Sequence, residues 1–283
     1  MEVTIARTPE EVKVKIREWK KRGYSIGLVP TMGYLHEGHG SLIKKAVEEN
    51  DKVMVSVFVN PIQFGPNEDL ETYPRDFDAD LEMIEDLGAN LVFHPEPSDM
   101  YASDFSTTIS VGGVSENLCG AKRPGHFNGV CTVVTKLFNL SEADRAYFGQ
   151  KDAQQLAVVR RMVRDLNANI EIIGCPIIRE EDGLAKSSRN TYLSPAERKA
   201  ATVLNKALIA GKQMVESGEK NSSLIKAKIE DIISKEPLAK IDYVEITDWN
   251  SIEPVDIISS SILCAIAVYI GKTRLIDNFI YEV

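Results

Sequence analysis

The sequence predicts an α/β fold: a Rossmann-like domain with a parallel β-sheet, followed by a smaller C-terminal α+β domain. Up to Cys175, short apolar runs alternate with amphipathic segments of helical period, which is the pattern of βαβ units. After Cys175, two helical segments are followed by three consecutive strand-like runs, which indicates a separate α+β unit. We place the boundary near residue 180, so the predicted domains are 1–180 and 181–283.

Caps and apolar periodicity predict each element of the first domain. Thr8, Pro9 and Glu11 form a capping box that opens a helix, and Gly23 ends it. Apolar runs with β-branched residues then predict strands at 24–29, 52–59, 91–93, 145–148 and 170–173. Apolar faces at helical spacing predict helices at 41–49, 74–87, 130–140 and 152–166.

The second domain begins with another cap. Ser194, Pro195 and Glu197 predict the start of one long helix that continues to about Glu216, and a second helix follows at 222–234. Strands are predicted at 241–247, 262–270 and 274–281. Gly271-Lys272-Thr273 resembles the end of a P-loop, but the expected earlier glycine is absent, so we predict a hairpin turn there.

Composition and charge exclude several classes of protein. Of the 283 residues, 43% are apolar and 27% are charged, which excludes disordered and fibrous proteins. No apolar stretch is long enough to span a bilayer, and no secretory signal is visible, so we expect no membrane partner. The net charge of −9 disfavours nucleic-acid binding. Four widely spaced cysteines without a C-x-x-C pair indicate reduced thiols in a cytoplasmic protein.

The most informative segment is Pro30-Thr31-Met32-Gly33-Tyr34-Leu35-His36-Glu37-Gly38-His39. It leaves the first long strand at its carboxyl end, where open α/β sheets bind ligands, and enters a helix near His39. His36 and His39 flank Gly38 at the N-terminal end of that helix, where N–H groups and the helix dipole favour phosphate. We therefore predict a phosphate site, with polar loop histidines or a histidine metal site as the alternatives.

Two further strand ends carry polar side chains. Gln63, in Phe58-Val59-Asn60-Pro61-Ile62-Gln63-Phe64, offers amide groups to a substrate with hydroxyl and carboxylate oxygens, although a solvated loop glutamine is the alternative. In Tyr147-Phe148-Gly149-Gln150-Lys151-Asp152-Ala153-Gln154-Gln155, Lys151 is a cation suited to a nucleotide phosphate. Asp152 is either a helix cap or a Mg²⁺ ligand through water, and Gln155 lies one turn beyond Lys151.

Two loops complete the set. Arg123-Pro124-Gly125-His126-Phe127-Asn128-Gly129-Val130 opens a helix and is either part of the site or a structural turn. The segment from Arg179 to Asn190 contains Lys186, Ser187, Ser188 and Arg189, whose two cations and two hydroxyls suit a triphosphate, with a basic linker as the alternative.

Together these five segments resemble the pantothenate synthetase, or pantoate–β-alanine ligase, family, within the wider H-x-G-H nucleotidyltransferase superfamily. The matching motifs are P-T-M-G-Y-L-H-E-G-H, F-V-N-P-I-Q-F, R-P-G-H-F-N-G-V, Y-F-G-Q-K-D-A-Q-Q and S-S-R-N-T-Y-L. The resemblance implies a cytoplasmic homodimeric ligase of pantothenate biosynthesis. It would use ATP with Mg²⁺ to join pantoate and β-alanine through pantoyl adenylate.

The resemblance also implies site residues. His39 takes a charge-stabilising or proton-donor role, and with it His36, Lys151 and Arg189 are the catalytic candidates. Gln63 and Gln155 hold pantoate, and Asp152 is the metal candidate. The residues expected to contact ATP are Met32, Gly33, Tyr34, Leu35, His36, Glu37, Gly38, His39, Gly149, Gln150, Lys151, Asp152, Ile178, Lys186, Ser187, Ser188 and Arg189. Gly40 and Lys186 depart from the family pattern, which leaves the role of Lys186 open.

Two rival functions remain at this point. One is another adenylyl-transferring enzyme of the H-x-G-H superfamily, and the other is a non-catalytic nucleotide-binding regulator. The acidic charge disfavours a tRNA synthetase. A regulator would have little reason to carry Gln63, Gln155, Lys151 and Arg189 together.

Overall fold

The computed structural model describes residues 3–66 and 68–283, and the chain divides into two compact units. The first unit contains the residues up to Val111 together with Arg123–Gln150 and Val158–Pro176. The second contains Gly112–Lys122, Lys151–Ala157 and Ile177–Val283. The two short segments of the second unit lie within the range 1–180 that the sequence analysis assigns to one domain.

The first unit is built on a six-stranded sheet whose paired strands are all parallel, as predicted. Its strands are β1 (Thr4–Ala6), β2 (Ile26–Thr31), β3 (Lys52–Val57), β4 (Leu91–Phe93), β5 (Arg145–Gly149) and β6 (Glu171–Cys175). The helices of this part of the chain are α1 (Pro9–Lys21), α2 (Glu37–Glu49), α3 (Phe77–Asp86), α4 (Pro97–Met100), α5 (Leu118–Lys122), α6 (His126–Ser141) and α7 (Ala153–Asp165). Of these, α5 and the first residues of α7 belong to the second unit.

The strand order determines where a ligand can bind. The order is β1-β4-β3-β2-β5-β6, so the chain runs outward from β2 through β3 and later returns to the other side of β2 with β5. In open parallel sheets, ligands bind beyond the carboxyl ends of the strands at such a reversal. The segments that follow β2, β3 and β5 therefore leave neighbouring strands at the same edge of the sheet.

Apolar packing holds this arrangement. Leu42 and Ile43 of α2 are buried in a core with Val29, Val55 and Ile84 from β2, β3 and α3. The core strands are buried at nearly every position, which is typical of a parallel sheet that carries helices. The predicted capping box of α1 is confirmed, since the Thr8 and Glu11 side chains bond each other's backbone N–H groups.

The second unit contains a three-stranded antiparallel sheet, formed by the three consecutive strands that the sequence predicts. Its strands are β7 (Ala239–Asp248), β8 (Ile262–Ile270) and β9 (Thr273–Tyr281), in that order across the sheet. Its remaining helices are α8 (Pro195–Ala200), α9 (Val203–Glu216) and α10 (Ser222–Ser234). The tip between β8 and β9 is a hairpin turn with Gly271 at a φ of 57°, so that prediction is confirmed.

Several element predictions differ from the structure in detail. Strand β1 has three residues, too few to show a pattern, and was not predicted. The predicted starts of α2 and α6, at residues 41 and 130, are late, because the helices begin at Glu37 and His126. A single helix is predicted from 195 to 216. The backbone instead tightens at Ala201 and Thr202, where the bonds from Thr202 N–H to Lys199 and from Leu204 N–H to Ala201 join residues three apart, and α9 begins afresh.

The described residues also bear on the excluded classes. Across 3–66 and 68–283, no helix is both long and apolar enough to cross a membrane. Each of the four cysteines is a free thiol, as predicted.

Candidate active site

His36 and His39 form a mutual cap at the start of α2. His36 is the N-cap residue, and its Nδ1 accepts a hydrogen bond from the Gly38 N–H at 3.1 Å. The Nδ1 atom of His39 accepts from the His36 N–H at 3.3 Å, and the two ring centroids lie 4.1 Å apart. This pattern assigns the tautomer of each neutral ring, with the proton on Nε2. Two ring N–H donors therefore stand at the positive end of a helix, where anions bind.

The turn before this cap is held by Asp80, a residue that the sequence analysis does not identify. The Asp80 carboxylate accepts from the Tyr34 N–H at 2.8 Å and from the Leu35 N–H at 2.6 Å. These bonds stabilise a backbone in which Gly33 and Tyr34 have φ values of 80° and 51°. Burial raises the pKa of the Asp80 carboxyl, although the two N–H groups act in the opposite direction. The sequence does show that Asp80 lies one helical turn from Ile84 and therefore on the buried face of α3, which could have identified it.

Gln63 follows β3 and is buried beside Met32, which follows β2. The Gln63 Nε2 atom lies 3.0 Å from the Met32 sulfur, and the Gln63 Oε1 atom accepts from Asn60 Nδ2 at 3.0 Å. Only 8% of Gln63 is exposed, so its amide is held by protein contacts and is not a solvated loop side chain. The structure thus brings together two residues that were singled out on separate strand ends.

The Arg123-to-Val130 segment supports the backbone of Gln63. His126 Nδ1 bonds the Gln63 carbonyl oxygen at 2.8 Å, and its Nε2 lies 3.1 Å from Arg123 Nη1. Arg123 also binds Glu68 through Nε and Nη2. Burial acts to raise the pKa of the Glu68 carboxyl, but the hydrogen bonds and charge of Arg123, together with Gly65 and His126, hold this pKa below its usual value. The Arg123-to-Val130 segment therefore fixes the backbone of Gln63, which is predicted to bind the substrate.

Helix α6 packs closely against the backbone of Ile62 and Gln63, which predicts that Gly129→Ala lowers the stability of the protein. A Cβ atom at Gly129 would lie 2.6 Å from the backbone nitrogen of Gln63 and would also meet the backbone carbonyl oxygen of Ile62. Because both obstacles are backbone, we expect the variant to lose about 1–3 kcal/mol in free energy of unfolding. Urea denaturation measures this loss.

Gly40→Ala in α2 is the matched control for that variant. Its Cβ would meet only side-chain atoms, Leu87 Cδ1 at 3.4 Å and Met83 Sδ at 3.9 Å. We expect it to be neutral or to stabilise by up to about 1 kcal/mol through helix propensity. Equal stability of the two variants would contradict the argument from packing.

The second unit carries Lys151, Asp152 and Gln155. Gln150, Lys151 and Asp152 form a single 3₁₀ turn before α7. The Lys151 carbonyl oxygen accepts from Asn278 Nδ2 at 2.9 Å, and the Asp152 side chain is exposed. The neighbouring Gln154 was not predicted as a site residue, and it is buried with hydrogen bonds to the backbone of Val114, Asn117 and Cys119.

Ile178 and Lys186 lie at the two ends of a short hairpin, and Ser187, Ser188 and Arg189 follow it. The Lys186 N–H bonds the Ile178 carbonyl oxygen at 2.9 Å, and Arg179 pairs with Ala185. The Lys186 ammonium forms an ion pair with Glu180 at 3.2 Å, which gives this unusual lysine a structural partner. The Ser187 side chain then caps the 3₁₀ turn Ser188–Tyr192 by accepting from the Arg189 N–H.

The structure thus places the candidates in two groups. Three candidate segments of the first unit lie at the carboxyl ends of the neighbouring strands β2, β3 and β5. They are the segment with His36 and His39, the segment with Gln63, and Gly149 with Gln150. The second unit holds Lys151, Asp152, Gln155, Ile178, Lys186, Ser187, Ser188 and Arg189. Their roles in binding and catalysis stay predictions.

Comparisons with known proteins agree with each other. A family model described as pantoate-beta-alanine ligase matches residues 4–280. The pantothenate synthetase of Clostridium acetobutylicum is 62% identical over 279 residues, which cover 99% of this chain and 99% of that protein. The pantothenate synthetase of Enterococcus faecalis is 60% identical over 284 residues, again covering 99% of each.

Solved structures give the same result. The pantothenate synthetase from Thermus thermophilus aligns with a TM-score of 0.93 at 43% identity, covering 98% of this chain and 99% of that one. A pantoate-beta-alanine ligase from Francisella tularensis, complexed with beta-gamma ATP and beta-alanine, aligns with a TM-score of 0.79 at 35% identity, covering 98% and 97%.

Proposed function

Because this chain belongs to the pantoate–β-alanine ligase family and is a ligase, we propose that it condenses (R)-pantoate with β-alanine through a pantoyl-adenylate intermediate. In the first step, a carboxylate oxygen of pantoate attacks the α-phosphorus of ATP and pyrophosphate leaves. In the second, the amine of β-alanine attacks the acyl carbon, AMP leaves, and the amine loses a proton to give pantothenate.

The charge balance of the first step explains which groups are needed. A carboxylate is already a nucleophile at neutral pH, so the step requires no catalytic base. The barrier comes from bringing two anions together and from charge that builds on the phosphorus. Fixed donors and cations lower that barrier, and positioning alone contributes roughly 7–11 kcal/mol in favourable cases.

The histidine pair is the observation that carries the proposal. Each ring accepts a backbone N–H at Nδ1 to cap α2, so each neutral ring carries its proton on Nε2 at the helix N-terminus. We propose that His36 and His39 donate to ATP phosphate oxygens, and that Lys151 and Arg189 supply positive charge to the same nucleotide. The relative from Francisella tularensis, whose structure is complexed with beta-gamma ATP and beta-alanine, supports ATP as a substrate.

Gln63 and Gln155 are the proposed pantoate residues. The Gln63 amide offers N–H donors beside Met32, whose thioether sulfur is a weak acceptor that a substrate oxygen can replace. Carboxylate and hydroxyl oxygens of pantoate are suitable acceptors for such a donor. We also propose that Gln63 lies near β-alanine when that substrate binds.

Mg²⁺ fits this site only when it binds together with the nucleotide phosphates. Among residues 3–66 and 68–283, no cluster of three or more His, Cys, Asp or Glu side chains is arranged to hold a metal ion. Mg²⁺ on a nucleotide keeps several waters and needs few protein carboxylates, and the exposed Asp152 is the one we propose. When bound, Mg²⁺ would offset part of the phosphate charge.

We further propose that the enzyme is a cytoplasmic homodimer that acts in pantothenate biosynthesis. The family resemblance supports this assignment. Sedimentation equilibrium of the purified protein gives the oligomeric state directly.

Pantoate-dependent exchange of labelled pyrophosphate into ATP tests the proposed function. We expect exchange without β-alanine, and AMP release only when β-alanine is added. Exchange that depends on a different acid would indicate another adenylyl-transferring enzyme. Nucleotide binding without exchange would indicate a regulator.

Lys151→Ala tests the assignment of this cation. We expect the variant to fold and its exchange rate to fall about 100- to 1,000-fold, because a positioned charge at the phosphates is lost. Lys228→Ala, at an exposed position of α10, is the control and is expected to retain full exchange. Normal exchange by Lys151→Ala would remove Lys151 from the site.

A further inference from the structure

A line of side-chain hydrogen bonds runs from Tyr101 to Gln63 within the first unit. The Tyr101 hydroxyl donates to Asn60 Oδ1 at 2.7 Å. Asn60 Nδ2 in turn donates to Gln63 Oε1 at 3.0 Å and to the Gly129 carbonyl oxygen at 3.2 Å. Tyr101 is 41 residues from Asn60 along the chain, and no sequence motif identifies it as a partner.

The chemistry of these partners defines the orientation of both amides. The Gly129 carbonyl can only accept, so Asn60 must turn Nδ2 toward it and Oδ1 toward Tyr101. The same Nδ2 group then faces Gln63, which must present Oε1 to it. Gln63 is therefore left with its Nε2–H donors on the side of Met32.

Burial makes the loss of any one of these hydrogen bonds costly. Asn60 is 1% exposed, so an Oδ1 atom that lost its donor would have little water to replace it. The Tyr101 ring is itself held in place, with its centroid 5.0 Å from that of Phe105 and with Lys136 Nζ 5.8 Å away. The hydroxyl thus reaches Asn60 from a ring that is fixed independently of Gln63.

We propose that Tyr101 is a positioning residue for the hydroxy-acid substrate, acting through Asn60 to orient the Gln63 amide as a donor. This inference rests on the proposed role of Gln63 in binding pantoate. It assigns Tyr101 no contact with the substrate. Its hydroxyl bonds Asn60 Oδ1 and so keeps Asn60 Nδ2 on the Gln63 oxygen, which directs the Gln63 N–H groups toward a carboxylate or hydroxyl oxygen of the substrate.

Tyr101→Phe removes the hydroxyl and keeps the ring. We expect the dissociation constant of pantoate, measured by calorimetric titration without ATP, to rise about 5- to 10-fold, which is the effect of one hydrogen bond. The dissociation constant of ATP and the midpoint of thermal unfolding should stay close to those of the unmodified protein. Tyr24→Phe, another tyrosine of the first unit, is the control and should leave pantoate binding unchanged.

A double-mutant cycle with Gln63→Ala separates the inference from the proposed function. If Tyr101 acts through Gln63, Tyr101→Phe has no further effect on pantoate binding once Gln63 is alanine. An equal effect in both backgrounds, or no effect of Tyr101→Phe alone, would overturn the positioning role and leave the Gln63 assignment intact. Unchanged pantoate binding by Gln63→Ala alone would overturn the assignment of Gln63 itself.

Discussion

Replacing His39 with alanine is expected to leave a folded protein whose pantoate-dependent pyrophosphate exchange falls about 100- to 1,000-fold. The expected loss equals that of one well-placed donor to a developing charge, about 3–4 kcal/mol of transition-state stabilisation. The alanine also removes the acceptor for the His36 N–H, and loss of a cap costs about 1 kcal/mol of stability.

His39→Asn distinguishes the two roles of this ring. The asparagine Oδ1 atom can accept the His36 N–H in place of Nδ1, but its shorter Nδ2 amide does not reach the position of the histidine Nε2–H donor. We expect this variant to keep more thermal stability than His39→Ala and to show the same loss of exchange. Recovery of exchange together with stability would mean that His39 is only a cap.

Arg179→Ala is expected to have the largest effect on stability. The Arg179 guanidinium binds Asp277 through two hydrogen bonds, of 2.6 and 2.9 Å, and also donates to the Gly183 carbonyl. The Asp277 side chain is only 1% exposed, so removal of its partner leaves a buried carboxylate without a counter-charge. We expect a loss of about 3 kcal/mol in free energy of unfolding, toward the lower end for buried pairs because Arg179 is partly exposed.

Arg198→Ala is the matched control, because Arg198 of α8 pairs with Asp182 on the same hairpin. Arg198 binds Asp182, also through two hydrogen bonds, but both side chains are substantially exposed, at 32% and 46%. Exposed pairs contribute about 0–1 kcal/mol, so this variant should unfold close to the unmodified protein in urea. Equal destabilisation by the two substitutions would contradict the assignment of the effect to burial.

Local signals in the sequence predicted most of the architecture. The caps at Thr8 and Ser194 predict helix starts at Pro9 and Pro195, and the apolar patterns predict the parallel sheet of the first unit and the three strands of the second. The start of α2 was predicted too late because histidine is not a usual cap residue, and its role depends on ring contacts that no single position reveals.

The supporting residues of the candidate site were beyond the reach of sequence patterns. Asp80 is 46 residues from Tyr34, and Arg123 is 55 residues from Glu68. Each was visible as a charged residue, but only the folded chain shows which backbone groups or counter-charges it contacts. The same holds for Lys186, which departs from the family pattern. Only the folded chain shows that it forms an ion pair with Glu180.

The mutual cap of His36 and His39 couples acidity to the shape of the helix entrance. An imidazolium ring carries hydrogen on both nitrogens, so it has no lone pair with which to receive a backbone N–H. Full protonation of either ring would therefore set two N–H groups against each other where one bond now closes the first turn of α2. Acidification should loosen this turn at the same time as it adds positive charge there, so the two changes cannot be made separately.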